Sequence, residues 1–266
     1  MTILIADYHD ERALFDGLLA PNPSQRILLF RGATGCGKTT LLRVCLEAAA
    51  APAIDLIPVQ IQFREEAVSV AEIFYRTGDK LGWNSFPRFL KVVEGMQRPN
   101  TVTIKHNKLI GINQRIEVAL TGEKPEDVEY RLVMLTDAWF DDLRKLPNRL
   151  LLVFDTYEKA VEPVRRWFDG PFLTRVAGNT QIRVLVAGQQ VPDANNIEWG
   201  SCCGERELRG VRNADHWLPV VEALNRHVAP AGDLHSFLVG VCHVLDGNPL
   251  EIMGIIKGLP ERGPAT

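Results

Sequence analysis

The chain has 266 residues, of which 46% are hydrophobic and 24% charged, and its formal net charge is −3 from 30 basic and 33 acidic side chains. These values belong to a folded domain with a substantial core and exclude a disordered tail, a collagen-like chain and a coiled-coil rod. The near-balance of charge gives no case for bulk binding to nucleic acid or to a membrane surface.

Taken in order, His9 to Leu19 carries Ala13, Leu14, Leu18 and Leu19 at helical spacing, and the stretch PNPSQ at 21–25 breaks it. Ile27 to Phe30 is a short apolar run suited to a buried parallel strand. Helix is expected over 38–50, closed by Pro52, then a strand from Ile57 to Phe63, then helices over 68–82 and 86–95. Segment 100–122 alternates apolar and polar residues, as in TVTIKHN and RIEVAL, and reads as a β-hairpin inserted between sheet elements. A long amphipathic helix is expected over 125–146, with Pro125 in its first turn and Trp139, Phe140, Leu143 and Leu146 on its core side.

Arg149 to Asp155 (RLLLVFD) is the clearest strand, followed by helix over 158–168, a buried strand from Gln181 to Ala187 and a short one over 206–211. Beyond 213 only helices are expected, over 214–226, 233–246 and 249–258. The expected fold is α/β, a three-layer P-loop NTPase fold with a central parallel sheet, the inserted β-hairpin and a C-terminal helical subdomain. The expected division is a nucleotide-binding domain over 1–211 and the helical subdomain over 212–266.

One motif dominates. Gly32-Ala33-Thr34-Gly35-Cys36-Gly37-Lys38-Thr39 fits G-x-x-x-x-G-K-[ST], with a strand before it and a helix after it. Such a loop turns its N–H groups inward around phosphate oxygens, and the helix N-terminus adds partial positive charge. Lys38 is expected on the β- and γ-phosphates, and Thr39 on Mg²⁺. Thr40, in the same first helical turn, completes the expected cofactor-binding set. Cys36 is read as a small filler residue.

An apolar strand ending in an acid makes Asp155 the second Mg²⁺ ligand, at the carboxyl edge where open α/β sheets bind ligands. Glu158, three positions on, is the candidate base for the attacking water; its plain alternative is an acid favoured in a first helical turn. Gln189, with Gln190 beside it, follows the next buried strand and is placed to sense the γ-phosphate. The cofactors expected are ATP or ADP with Mg²⁺, and the catalytic set is Lys38, Asp155 and Glu158.

Together these residues resemble the signal-transducing STAND ATPases, within the AAA+ and Orc/Cdc6-like group. Asp10-Glu11-Arg12 ahead of the phosphate-loop strand is similar to that group's entry motif, and Asp155-Thr156-Tyr157-Glu158 to the Walker B block of bacterial members. Gly247-Asn248-Pro249-Leu250 looks like the family's Gly-x-Pro motif, which implies that Pro249 packs near the nucleotide base. Many relatives end the fourth strand in an arginine where this chain has Gln189-Gln190, which implies slow hydrolysis.

The resemblance implies an ATPase switch that couples nucleotide state to oligomerisation or to a partner effector or sensor, in bacterial defence or stress signalling. The alternatives are a DNA-associated helper ATPase for transposition or replication loading, and a non-catalytic nucleotide-binding scaffold. Six basic residues between Arg88 and Arg115 against Glu94 would serve DNA, but few aromatics interleave them, and a solvated face is the favoured reading. Arg165, Arg166 and Arg175 lie where an arginine can reach a neighbour's γ-phosphate in oligomeric ATPases, but surface ion pairing is the favoured reading. Cysteines Cys36, Cys45, Cys202, Cys203 and Cys242, odd in number and irregularly spaced, suit reduced thiols. The N-terminus lacks a basic start with an apolar stretch, and no apolar run approaches the roughly 20 residues of a membrane span, so a cytoplasmic protein is expected.

Overall fold

The computed structural model describes residues 3–64, 68–96, 111–228 and 232–261. The sheet has five strands, β1 (Ile27–Gly32), β2 (Leu56–Gln62), β3 (Arg149–Asp155), β4 (Ile182–Gly188) and β5 (Cys203–Leu208), in the order β2-β3-β4-β1-β5. Every neighbouring pair is parallel. All carboxyl ends therefore lie on one edge, and β4 separates the phosphate-loop strand from the strand that ends in Asp155. Every residue of β4 is buried, as is every residue of β3 after Arg149, as a strand covered on both faces requires.

The helices are α1 (His9–Leu19), α2 (Lys38–Ala49), α3 (Val70–Leu81), α4 (Pro87–Gly95), α5 (Ile112–Ala119), α6 (Pro125–Leu143), α7 (Glu162–Trp167), α8 (Leu173–Ala177), α9 (Leu218–Ala223), α10 (Leu234–Val244) and α11 (Pro249–Gly258). Strand alternation sorts the core into two layers. Leu29, Leu152, Phe154, Val184 and Val186 face α3 to α8. Leu28, Phe30, Leu151, Val153 and Leu185 face α1, α2 and the late helices α9 to α11.

Sequence and structure differ in several places. Residues 100–110 of the expected hairpin lie outside the described residues, but its second half is helix α5. In this stretch Ile112, Ile116, Ala119 and Leu120 also recur at helical spacing, and Ile116 and Ala119 are buried against α3 and α4, so tertiary packing chose the helical period. The helix expected over 158–168 is split: Tyr157–Lys159 is a single tight turn, α7 starts with Pro163 in its first turn, and a widened turn at Phe168–Phe172, containing Pro171, leads into α8. The last strand starts at Cys203 rather than 206, and the helix expected over 214–226 is a tight turn followed by the short α9.

At the amino edge of the sheet the C-terminal end of α1 is held by two arginines. Arg149 donates to the carbonyls of Leu19 and Ala20 at 3.0 and 2.9 Å, and the fully buried Arg183 to those of Leu18 and Pro21 at 3.3 and 3.2 Å. Their charge also suits the negative end of the helix. Burial, with the nearby Arg149 and Arg26, lowers the Arg183 pKa to about 10, so it stays charged at neutral pH.

Candidate nucleotide site

The phosphate loop connects β1 to α2 at the carboxyl edge. Gly35 and Gly37 sit at φ +85° and +90°, a region closed to most side chains, and this lets the loop curl over the first turn of α2. At Gly35 space is also limiting: a Cβ would lie 2.6 Å from Asn248 Oδ1. Lys38 Nζ donates to the carbonyls of Gly32 and Ala33 at 2.7 and 2.8 Å and lies 3.9 Å from Cys36 Sγ. Its charge thus lies across the loop, held, among the described residues, by loop atoms.

Thr39 Oγ1 donates to Asp155 Oδ2 at 3.1 Å, across 116 positions of sequence. Asp155 is 2% exposed, and its other oxygen accepts from Thr156 Oγ1 at 3.3 Å. Thr156 is itself in the left-handed region and is held by Arg64 Nε at 2.9 Å. The hydroxyl and carboxylate oxygen are hard donors of the kind Mg²⁺ takes from a protein when phosphates and water fill its other positions. The residues therefore fit the metal implied by the sequence.

The strand register pairs Asp155 with Ala187, so the segments following β3 and β4 emerge side by side. There Glu158 Oε2 accepts from the backbone N–H of Gln189 at 2.9 Å. The Glu158 carbonyl accepts from Arg165, whose guanidinium lies 5.9 Å from the centre of the Tyr157 ring. Tyr157 in turn donates to Asp169, and burial pushes the pKa of both groups up. Gln189 also borders a cavity of about 470 Å³ together with Arg31, Gln190, Asp193 and Glu205.

A larger cavity, of about 700 Å³, opens beside the loop. Gly32, Ala33, Thr34 and Cys36 form one wall, Leu208 to Gly210 and Arg212 a second, and Leu245, Asp246, Asn248 and Pro249 a third. The third wall joins the loop directly, because Leu250 N–H donates to the Gly35 carbonyl at 3.1 Å. Asn248 caps α11 through Leu250 N–H, and Val211 N–H donates to the Gly247 carbonyl at 2.7 Å.

Three groupings of the expected residues emerge: Lys38 with its loop, Thr39 with Asp155, and Glu158 with Gln189. Thr40 lies half-buried in the first turn of α2. Pro249 meets the loop itself, 3.9 Å from where a Gly37 Cβ would stand. Arg165 is engaged at Glu158, Arg175 is bound to Asp137 at 2.6 Å and to the Pro171 carbonyl at 2.9 Å, and the exposed Arg166 lies 3.7 Å from Glu162, so each has an intrachain partner as the ion-pairing reading expects. In the basic stretch Arg88 pairs with Asp141 and Arg115 with Glu94, while Arg98, Lys105, His106 and Lys108 lie outside the described residues. Sequence reasoning missed Tyr8, Arg209 and Asn248, all of which touch the loop or wall the cavity. Only Asn248 had a local signal, as an N-cap before Pro249.

No family model and no curated protein matches the chain. Solved structures do match. Cdc6p from Pyrobaculum aerophilum superposes with a TM-score of 0.54 at 14% identity, over 96% of this chain and 61% of that one. The Orc1 protein of Aeropyrum pernix, solved in complex with DNA, gives a TM-score of 0.43 at 17% identity, over 84% of this chain and 50% of that one. The chain thus spans about three fifths of the first structure and half of the second. The first likeness shows the fold: an α/β architecture on a five-stranded parallel sheet flanked by helices, shared with that Cdc6p structure. No helix among the described residues is long and apolar enough to cross a membrane.

Proposed function

We propose that this chain is an ATP-binding, slowly hydrolysing switch of the STAND/AAA+ type, which couples nucleotide state to assembly with a second copy or to control of a sensor or effector partner in the cytoplasm. The observation that carries this reading is the shared cavity. Its walls come from the phosphate loop, from the exit of β5 and from the turn between α10 and α11, so a nucleotide held there touches the sheet and the late helices together. We take residues 212–266 as the helical part that responds and 1–211 as the part that binds.

In this reading Lys38 leaves its loop carbonyls for the β- and γ-phosphate oxygens, while Thr39 and Asp155 hold Mg²⁺. Bound Mg²⁺ supplies charge that balances the phosphates during transfer to water. Glu158 orients that water and accepts its proton, and Gln189, bonded to Glu158, reports the γ-phosphate to it. A neutral amide in this role, instead of a guanidinium, supports a low rate.

The test is calorimetry of the purified protein with Mg-ATP and Mg-ADP, together with analysis of any nucleotide that co-purifies. Tight binding is expected, with ADP retained. Lys38→Ala should weaken binding by roughly 30- to 100-fold, the loss of charge-assisted hydrogen bonds, while leaving the melting temperature little changed. Failure of the wild type to bind either nucleotide overturns the reading. Salt-dependent DNA binding at low ionic strength would favour the helper-ATPase alternative instead.

A further inference from the structure

Tyr8 precedes α1 at φ 75°, a left-handed conformation costing a non-glycine residue about 1–2 kcal/mol. Its side chain is buried on the core side of the loop. The ring lies beside Gly37, where a Cβ would meet it at 3.3 Å. The hydroxyl faces two carbonyls, those of Cys36 in the loop and of Arg209 at 3.0 Å in the second wall of the cavity. Burial, reinforced by Cys36 and by the acidic Glu11 and Asp7, pushes the phenol pKa up, so the group remains an O–H donor throughout the neutral range.

A trans peptide points its C=O and its N–H in opposite directions. Fixing the Cys36 carbonyl against Tyr8 therefore turns the Gly37 N–H to the side opposite the Tyr8 hydroxyl. The preceding carbonyl, of Gly35, is fixed in a similar way by Leu250 N–H. The loop thus has two carbonyls drawn out by groups foreign to it.

We propose that Tyr8 is a positioning residue of the phosphate loop. Its hydroxyl orients the Cys36–Gly37 peptide so that the Gly37 N–H donates to a phosphate of a bound nucleoside di- or triphosphate, and its reach to Arg209 ties the loop to the second cavity wall. This rests on the nucleotide-binding reading above.

The experiment uses the full chain, ¹⁵N-labelled, with Mg-ADP as the probe. In the wild type the Gly37 amide resonance should move downfield on binding, as a new hydrogen bond to phosphate requires. In Tyr8→Phe, which keeps the ring, that shift should shrink and affinity should fall about 5- to 10-fold, the scale of one hydrogen bond. A wild-type Gly37 amide that stays put on ADP binding overturns the proposal without any variant. So does a Tyr8→Phe protein with a lower melting temperature but an unchanged Gly37 shift, which would mark Tyr8 as structural only. Wild type that binds no nucleotide removes the underlying function as well; wild type that binds, with Tyr8→Phe its equal, removes only the role of Tyr8.

Discussion

The two faces of the sheet are built from different materials. On one, Phe74, Phe89, Trp139, Phe140, Phe154, Trp167, Phe168 and Phe172 form a continuous set of ring contacts, with centroids as close as 4.7 Å. On the other, the contacts beneath α1, α2 and α9 to α11 are mostly aliphatic, and all the anchors of the phosphate loop lie there. Large interlocked rings have few alternative packings, whereas smaller side chains rearrange at lower cost. In the proposed switch the aromatic face would serve as a fixed reference, and the aliphatic face would carry the parts that respond to nucleotide.

Two substitutions test that contrast. The largest effect is expected from Trp139→Ala, which should cost about 3–5 kcal/mol of stability, read by denaturant unfolding, yet leave the nucleotide affinity of the folded protein unchanged. Ile256→Ala on the other face should cost about 2–5 kcal/mol and also weaken binding, because α11 carries the turn that walls the cavity. Equal affinities in the two variants would erase the distinction.

Next comes Gly35→Ala, which sharpens the picture of the joint between loop and α11. The left-handed backbone alone should cost about 1–2 kcal/mol, and the collision with Asn248 should add to it. In an Asn248→Ala background the added part should vanish. Denaturation midpoints of the two single variants and the double variant measure this coupling, and strict additivity would show that Asn248 does not press on the loop.

The smallest effect belongs to Asp169→Asn, on the aromatic face. Burial raises the Asp169 pKa in the folded chain, so the stability it contributes is present below the unfolded pKa and lost as pH rises through the folded one. Asparagine still accepts from Tyr157 and has no proton to lose. The variant should therefore gain on the wild type between pH 3 and pH 7, seen in melting temperatures at both, and an opposite trend would contradict the buried-carboxyl reading.

Much of this was legible in the chain itself. The apolar runs of β1, β3 and β4 are long enough only for buried strands, and the phosphate loop and Asp155 follow two of them. RIEVAL satisfies both the strand and the helix period, and only its neighbours α3 and α4 decide between them. The widened turn around Pro171 and α8 beyond it lie past the helix expected over 158–168, because Gly170 and Pro171 read as a break. Tyr8 could not be found by spacing, since its role depends on contacts 28 and 201 positions away. Arg165 looked like a surface charge until the turn after β3 brought the Glu158 carbonyl to it.

α1 is pinned at both extremities, by Tyr8 at the upper rim of the sheet and by Arg149 and Arg183 at the lower. Eleven residues make a strut about 16 Å long. A shift of the Cys36 peptide would therefore pull on an element tied also to the base of β3 and β4, since sliding α1 would cost Arg149 and Arg183 their contacts to its end.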